Sequence, residues 1–152
     1  MTYRIIVGAL TGIVVSGALV TGTMAADYKI VDGTIPQSLT GKAGDPVQGK
    51  KTAVNRKKGN CLACHVMPIP EEQFHGEVGP DLGESGSNYS AAELRMRLVD
   101  PKVLNPDTIM PAFLVPGKTA VLKKFAGKTI LSPQDVEDIV AYLTTLKGSY
   151  SK

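Results

Sequence analysis

The chain has 152 residues, with 17 Lys and Arg against 14 Asp and Glu, and therefore a formal net charge of only +3 at pH 7. This length allows one domain and excludes a TIM barrel, and the balanced charge excludes a nucleic-acid binder with a concentrated basic stripe. Three Phe, five Tyr and no Trp leave few of the bulky rings that usually dominate a core. The core is therefore either thin or filled by a group that is not an amino acid.

The first 26 residues have the order of a cleavable secretory signal peptide. Arg4 precedes an uncharged, mostly apolar run at residues 5–20, and small residues follow before the first acidic side chain. Cleavage is predicted after Ala25 or Ala26. An uncleaved anchor is the competing interpretation, but the run is shorter than the roughly 20 residues that span a bilayer. We expect a mature periplasmic protein with no membrane span, in an oxidising compartment where free thiols rarely persist.

The mature chain begins with two segments of different character. Residues 27–46 mix apolar and polar side chains with several Gly and Pro, which predicts an irregular N-terminal arm. Such an arm either docks on the domain or stays loose. Residues 47–58 predict a short helix that ends at Gly59 and Asn60, two residues suited to a helix C terminus.

The middle of the chain alternates loops with one capped helix. Residues 67–88 are rich in Gly and Pro and predict a long loop, which in a compact domain usually serves a function or a ligand. Ser90-Ala-Ala-Glu93 is a capping box, so a helix starts there and stops at Asp100-Pro101. Three prolines within residues 105–116 predict a second structured loop.

The last helix has the clearest pattern in the chain. Ser132 is its predicted cap, Pro133 takes the first helical position, and Lys147-Gly148 closes it. A tail at 149–152 follows. An apolar stripe at helical spacing runs along the helix, formed by Val136, Ile139, Val140, Leu143 and Leu146. With no convincing strand pattern elsewhere, the sequence predicts an all-α fold of three to four short helices.

Both cysteines of the chain lie in Cys61-Leu-Ala-Cys64-His65, which has the C-x-x-C-H spacing of covalent haem attachment. Two thiols on one helical turn can add to the two vinyl groups along one haem edge, and His65 is then carried under the iron. A thioredoxin-like motif would need a βαβ pattern, a zinc site would need a fourth ligand, and a simple disulfide would leave the histidine unexplained. The motif therefore predicts one covalent haem c.

The second iron ligand must come from another part of the chain, and Met110 is the favoured candidate. It lies 45 residues after His65, in a loop stiffened by proline. Met67 follows His65 too closely to reach the other face of the haem, Met96 lies in a predicted helix as core filler, and His75 is a distant second choice. A His/Met pair raises the reduction potential and leaves no open position for substrate. A haem-based ligand sensor would instead need a labile sixth position.

Other residues near the motif have weaker predicted roles. The carbonyl of Pro80 is a candidate acceptor for the ring N–H of His65, although an ordinary Gly-Pro turn is the plain alternative. Of Arg95 and Arg97, which do not share a helix face, at most one can pair with a haem propionate. Five basic residues at positions 50–58 either steer an acidic partner or form a solvated helix face.

These residues resemble those of class I c-type cytochromes, and more closely the SoxX family, the smaller haem subunits of SoxAX complexes in periplasmic sulfur oxidation. The resemblance covers residues 47–147. It rests on the final helix and on four motifs: Gly59-Asn-Cys-Leu-Ala-Cys-His-Val-Met-Pro68, Gly79-Pro-Asp-Leu82, Asp100-Pro101 and Asn105-Pro-Asp-Thr-Ile-Met-Pro-Ala-Phe113. It implies a cytochrome c domain at 47–148, haem c on Cys61 and Cys64, and iron ligation by His65 and Met110.

The same resemblance implies a function within a complex. In that family the chain pairs with a larger SoxA-type haem subunit, and the heterodimer joins thiosulfate oxidatively to a cysteine of a sulfur-carrier protein. This is an L-cysteine S-thiosulfotransferase reaction, with electrons passing to a downstream cytochrome. No catalytic nucleophile is expected here, because the haem uses both cysteines. A free-standing electron carrier is the alternative. One departure is Lys57, where many class I cytochromes carry an aromatic residue that packs the first helix on the last.

Overall fold

The computed structural model describes residues 27–117, 123 and 126–148. Within these ranges the fold has four α-helices: α1 (Pro46–Val54), α2 (Ser85–Asn88), α3 (Ala91–Val99) and α4 (Pro133–Thr145). Single 3-10 turns occur at Cys61–Ala63 and Pro101–Val103. The only β feature of the described residues is an isolated bridge between Val31 and Thr34, so the predicted all-α fold is confirmed. The predicted signal peptide and the tail at 149–152 lie outside this part of the chain.

Helices α3 and α4 begin where their sequence signals predict. Ser90 and Glu93 each accept the other's backbone N–H at the start of α3. Ser132 and Asp135 make the same reciprocal pair at the start of α4, with Pro133 in the first turn. Each pair satisfies two backbone donors that have no partner inside the helix. No helix in the described ranges is both long and apolar enough to cross a membrane.

Helix α1 is shorter than its predicted span. Asp45 caps its start, and the helix ends at Val54 rather than at Gly59. The side chain of Asn55 accepts the N–H of Lys57 at 2.9 Å, and this local bond turns the chain out of the helix. The prediction of helix through residue 58 was therefore wrong by about one turn.

Helix α1 packs against α4 by direct approach of the two backbones. A Cβ at Gly49 would overlap the carbonyl oxygen of Asp138, so this position admits only glycine. The same Cβ would lie 2.9 Å from the Cβ of Tyr142. The first and last helices thus meet at a glycine. This contact takes the place of the aromatic packing that many class I cytochromes make from the position of Lys57.

The N-terminal arm is docked, which decides between the two predicted alternatives. Ile35 is buried, and its N–H donates to the carbonyl of Ala92 at 3.2 Å. Arg95 donates to the carbonyl of Ile35 at 2.7 Å and pairs with Glu137 of α4 through bonds of 2.7 and 3.0 Å. Glu137 also accepts the N–H of Leu39 at 2.8 Å. Because Glu137 and Ile35 together engage all three guanidinium nitrogens of the buried Arg95, this residue is removed as a candidate partner for a haem propionate.

Candidate haem-attachment site

The C-x-x-C-H motif forms a single tight turn. Asn60 precedes it in the left-handed conformation, with φ of 49°, which asparagine adopts more readily than most residues. The carbonyl of Cys61 then accepts the N–H of Cys64 at 3.1 Å and that of His65 at 2.9 Å. One turn therefore carries two thiols and an imidazole, the set that covalent attachment along one haem edge requires.

The two cysteines are free thiols and are both partly buried. Burial raises the pKa of Cys61 to about 12, against the lowering effect of a backbone hydrogen bond, and the neighbouring Cys64 adds to the increase. Cys61 is therefore a protonated thiol at neutral pH, the form least reactive toward oxidation. Addition of an S–H across a vinyl group uses both the sulfur and its proton and has no leaving group.

The imidazole of His65 is oriented by backbone atoms. Its Nδ1 lies 2.7 Å from the carbonyl oxygen of Pro80, the contact that the sequence suggested. A hydrogen bond from Nδ1–H to this carbonyl leaves the lone pair of Nε2 available for a metal. Gly79 makes room for the ring, because a Cβ there would lie 2.6 Å from Nδ1. The N–H of Gly79 donates to the carbonyl of Cys64 at 2.7 Å and joins this loop to the motif.

His75 lies beside the segment that directly follows the motif. The next residue, Gly76, donates its N–H to the carbonyl of Leu62 at 2.8 Å, so this part of the loop runs against the Cys61–Ala63 turn. His75 itself is buried, and its Nδ1 accepts the N–H of Met67 at 3.3 Å. Because the ring of His75 is buried and its Nδ1 already accepts from the chain two residues after His65, this placement argues against His75 as a second iron ligand.

Met110 is partly buried against the core, on a separate loop that is anchored on both sides. Its N–H donates to the hydroxyl oxygen of Thr108 at 3.2 Å, and the carbonyl of Thr108 accepts from Nζ of Lys102 at 2.7 Å. On the other side the N–H of Phe113 donates to the carbonyl of Leu98 in α3 at 3.1 Å. The backbone of the candidate ligand thus sits between two anchoring points.

The donor set fits a haem better than a protein-only metal site. In the described part of the chain, no group of three or more His, Cys, Asp and Glu residues is arranged to hold a metal ion. Two thiols and one oriented imidazole on a single turn instead suit a haem, which would take covalent attachment and an iron ligand from this segment.

The basic residues before the motif are partly neutralised. Lys50 forms an ion pair with Glu71, and Lys58 pairs with Asp135 at 2.7 Å. Lys51, Arg56 and Lys57 remain exposed. Three exposed charges beside the attachment turn are compatible with either interpretation, partner steering or a solvated face.

Two contributions at this site have little or no signal in the sequence. The close contact between Gly79 and His65 is marked only by the glycine before Pro80, which an ordinary turn would also contain. No local sequence pattern predicts the role of Lys102, because its contact with Thr108 depends on how the loop folds back. Only the lysine's position after a capped helix, within reach of a proline-rich loop, could have suggested it.

The chain matches the cytochrome c family model over residues 47–147. A crystal structure of SoxXA from P. pantotrophus matches with a TM-score of 0.69 and 35% identity, covering 80% of this chain and 95% of that one. A cytochrome c2 from Rhodopila globiformis is 34% identical over 110 residues, which are 68% of this chain and 95% of the relative. An uncharacterized lipoprotein from Aquifex aeolicus is 33% identical over 70% of this chain, which spans only 45% of that protein's length.

Proposed function

The chain belongs to the cytochrome c family, and on this premise we propose that it is the electron-accepting monohaem subunit of a periplasmic SoxAX-type complex that oxidises thiosulfate. The similarity to SoxXA, at 35% identity over 80% of the chain, is the observation that supports this proposal most strongly. The partner would be a larger SoxA-type haem subunit in a heterodimer. Export by a signal peptide at residues 1–26 belongs to the same proposal.

In this proposal each candidate residue has one role toward the haem. Cys61 and Cys64 would hold the haem through two thioether bonds, and His65 and Met110 would ligate its iron. Pro80 holds the imidazole through its 2.7 Å contact with Nδ1. The haem, when bound, stores one electron, and the soft thioether ligand favours its reduced state.

The electron balance defines what this chain contributes. Joining thiosulfate to a carrier cysteine forms one sulfur–sulfur bond and releases two electrons and one proton. Cys61 and Cys64 are the only cysteines and are used by the haem, so the reacting sulfur must lie on another chain. One haem takes one electron at a time, so a downstream cytochrome must remove electrons singly. This chain would therefore serve an L-cysteine S-thiosulfotransferase without carrying its nucleophile.

A free-standing electron carrier is the second candidate. Similarity to a cytochrome c2 over 68% of the chain favours it, because a protein whose name carries no SoxA partner then matches most of this chain. The two functions share the haem site and differ in whether one face of the molecule is permanently covered by a partner.

Native purification and transient reduction separate the two candidates. For the complex, the holoprotein is expected to elute with a larger haem protein in a one-to-one ratio. Its haem should be reduced by thiosulfate only when the larger subunit and the carrier protein are both present. A control larger subunit that lacks its reactive cysteine should give no reduction. A chain that elutes alone, and exchanges electrons equally fast without the larger subunit, would overturn the proposal and favour the carrier.

A further inference from the structure

The loop that carries Met110 is tied to the preceding turn by the side chain of Lys102. This lysine is the central residue of the 3-10 turn Pro101–Val103, and it is partly buried. Its Nζ donates to the carbonyl of Thr108 at 2.7 Å. A hydrogen bond from an ammonium group is about twice as strong as one between neutral groups, and partial burial reduces competition from water.

Thr108 transmits this constraint to the candidate ligand. Its carbonyl is held by Lys102, and its hydroxyl oxygen accepts the N–H of Met110 at 3.2 Å. Inside the loop, the N–H of Thr108 also donates to the carbonyl of Asn105 at 3.2 Å, which closes a turn. A backbone displacement at Met110 must therefore either break its own bond to Thr108 or move Thr108 against the bond from Lys102.

We propose that Lys102 is a positioning residue for the sixth iron ligand: by holding Thr108 it keeps the Met110 thioether on the iron and excludes external ligands. The inference rests on the assignment of Met110 within the proposed function. An external ligand binds only when Met110 is displaced. Its apparent affinity is therefore the intrinsic affinity multiplied by the fraction of molecules in which Met110 is displaced. Removing the anchor raises the displaced fraction and hence the apparent affinity.

Imidazole titration of the ferric holoprotein tests this role. Lys102→Met keeps the length of the side chain and removes the donor, and it should bind imidazole about tenfold more tightly. Its Met-to-ferric-iron charge-transfer band should weaken. Lys102→Arg keeps a cationic donor and should restore both properties. The matched control is Lys57→Met, at an exposed lysine outside the helices, which should behave like the wild type.

A second variant tests the same path without altering a charge. Thr108→Val preserves the branched shape and the carbonyl but removes the hydroxyl that accepts from Met110. Because this bond joins neutral groups, imidazole should bind only about threefold more tightly. Wild-type imidazole affinity in either Thr108→Val or Lys102→Met would overturn the inference.

Two further variants separate ligand positioning from other effects. Met110→Ala should abolish the charge-transfer band, and an unchanged band would overturn the ligand assignment and this inference together. If Met110→Ala abolishes the band but Lys102→Met keeps wild-type imidazole affinity, the inference alone is overturned. Ile139→Val, in the buried face of α4, should lower the stability without changing imidazole affinity. An equal affinity change in Ile139→Val would mean that general destabilisation explains the effect, against our proposal.

Discussion

The orientation of His65 depends on two neighbours that contribute no side-chain functional group. Pro80 supplies a carbonyl whose direction is restricted by the fixed φ of proline, and Gly79 supplies the space that a Cβ would fill. Both act through the backbone, so the ring position is coupled to the path of the loop at residues 76–82. At the residue scale the sequence indicates which side chains could bind a haem, and the backbone path determines whether the His65 imidazole is correctly oriented.

Gly79→Ala is predicted to impair haem binding while leaving both cysteines and His65 in place. The added methyl group would come within 2.6 Å of Nδ1 and overlap the ring carbon Cε1, so the imidazole must rotate or the loop must move. We expect a severalfold loss of haem content in protein secreted by a strain with intact haem attachment, measured spectroscopically per mole of chain. Gly148→Ala, with no atom near its added Cβ, is the control. Equal haem content in both variants would show that the loop adjusts without cost.

At the scale of elements, the sequence predicts what is encoded by adjacent residues and misses what is encoded by distant ones. The starts of α3 and α4 follow from Ser90 and Ser132, because each capping partner lies three residues away. The docking of the N-terminal arm depends on Arg95 and Glu137, which are 42 positions apart, and no local pattern marks such a pair. The haem motif was predictable because its parts are contiguous. The contact between Lys102 and Thr108 was not predictable, because it depends on how the loop between them folds back.

The buried ion pair between Arg95 and Glu137 should stabilise the fold only when both partners are present. Both side chains are almost fully buried, and together they join α3, α4 and the arm. Arg95→Met leaves the Glu137 carboxylate buried without its cation, and we expect a loss of about 3–5 kcal/mol in the free energy of unfolding. Denaturant titration of the holoprotein measures this loss.

Two further variants show whether charge or packing causes that loss. Arg95→Met combined with Glu137→Leu removes both charges and should be less destabilised than Arg95→Met alone. Arg97→Met is the control, since Arg97 lies over the ring of Tyr89 at 4.0 Å and should cost only about 1 kcal/mol or less. A double variant that is destabilised by the full sum of its single substitutions would contradict a role based on charge pairing.

The start of α4 should respond to acid through Asp135. Burial raises the pKa of this carboxyl, but hydrogen bonds from Lys58 and Ser132 outweigh it and leave the pKa below its ordinary value. A carboxyl with a lowered folded-state pKa stabilises the protein above its unfolded-state pKa of about 4, and that stability is lost as the pH falls further.

Asp135→Asn should therefore lower the free energy of unfolding of the holoprotein at neutral pH, and the difference from wild type should shrink below about pH 4. Denaturant titrations across this range measure it. Asp27→Asn, at an exposed carboxyl in the N-terminal arm, should show no such convergence. A difference between Asp135→Asn and wild type that stays constant with pH would rule out ionisation of Asp135 as its source.

At the scale of the whole molecule, the scarcity of aromatic residues has a structural counterpart. Among the described residues, Phe113 and Tyr142 are the only aromatic side chains in the buried core, and Phe74 is 83% exposed. The remaining buried side chains are mainly Leu, Ile, Val and Met, carried by short helices and by loops. Three glycines bring backbone segments directly against α4 and so add little apolar side-chain area: Gly44, Gly49 and Gly86.

A haem would add a large, flat apolar group to such a core, so the haem-free chain is predicted to be poorly folded. Burial of apolar area is the main favourable contribution to folding, and a domain of this size has little to spare. Cys61→Ala/Cys64→Ala, purified without haem, should lack near-ultraviolet dichroism and show no cooperative thermal transition. Wild-type chain produced without haem attachment should behave alike, which separates the effect of the haem from that of the two substitutions. A sharp, cooperative melt of both haem-free proteins would mean that the aliphatic side chains and the close helix contacts suffice, and that the haem serves electron transfer without completing the core.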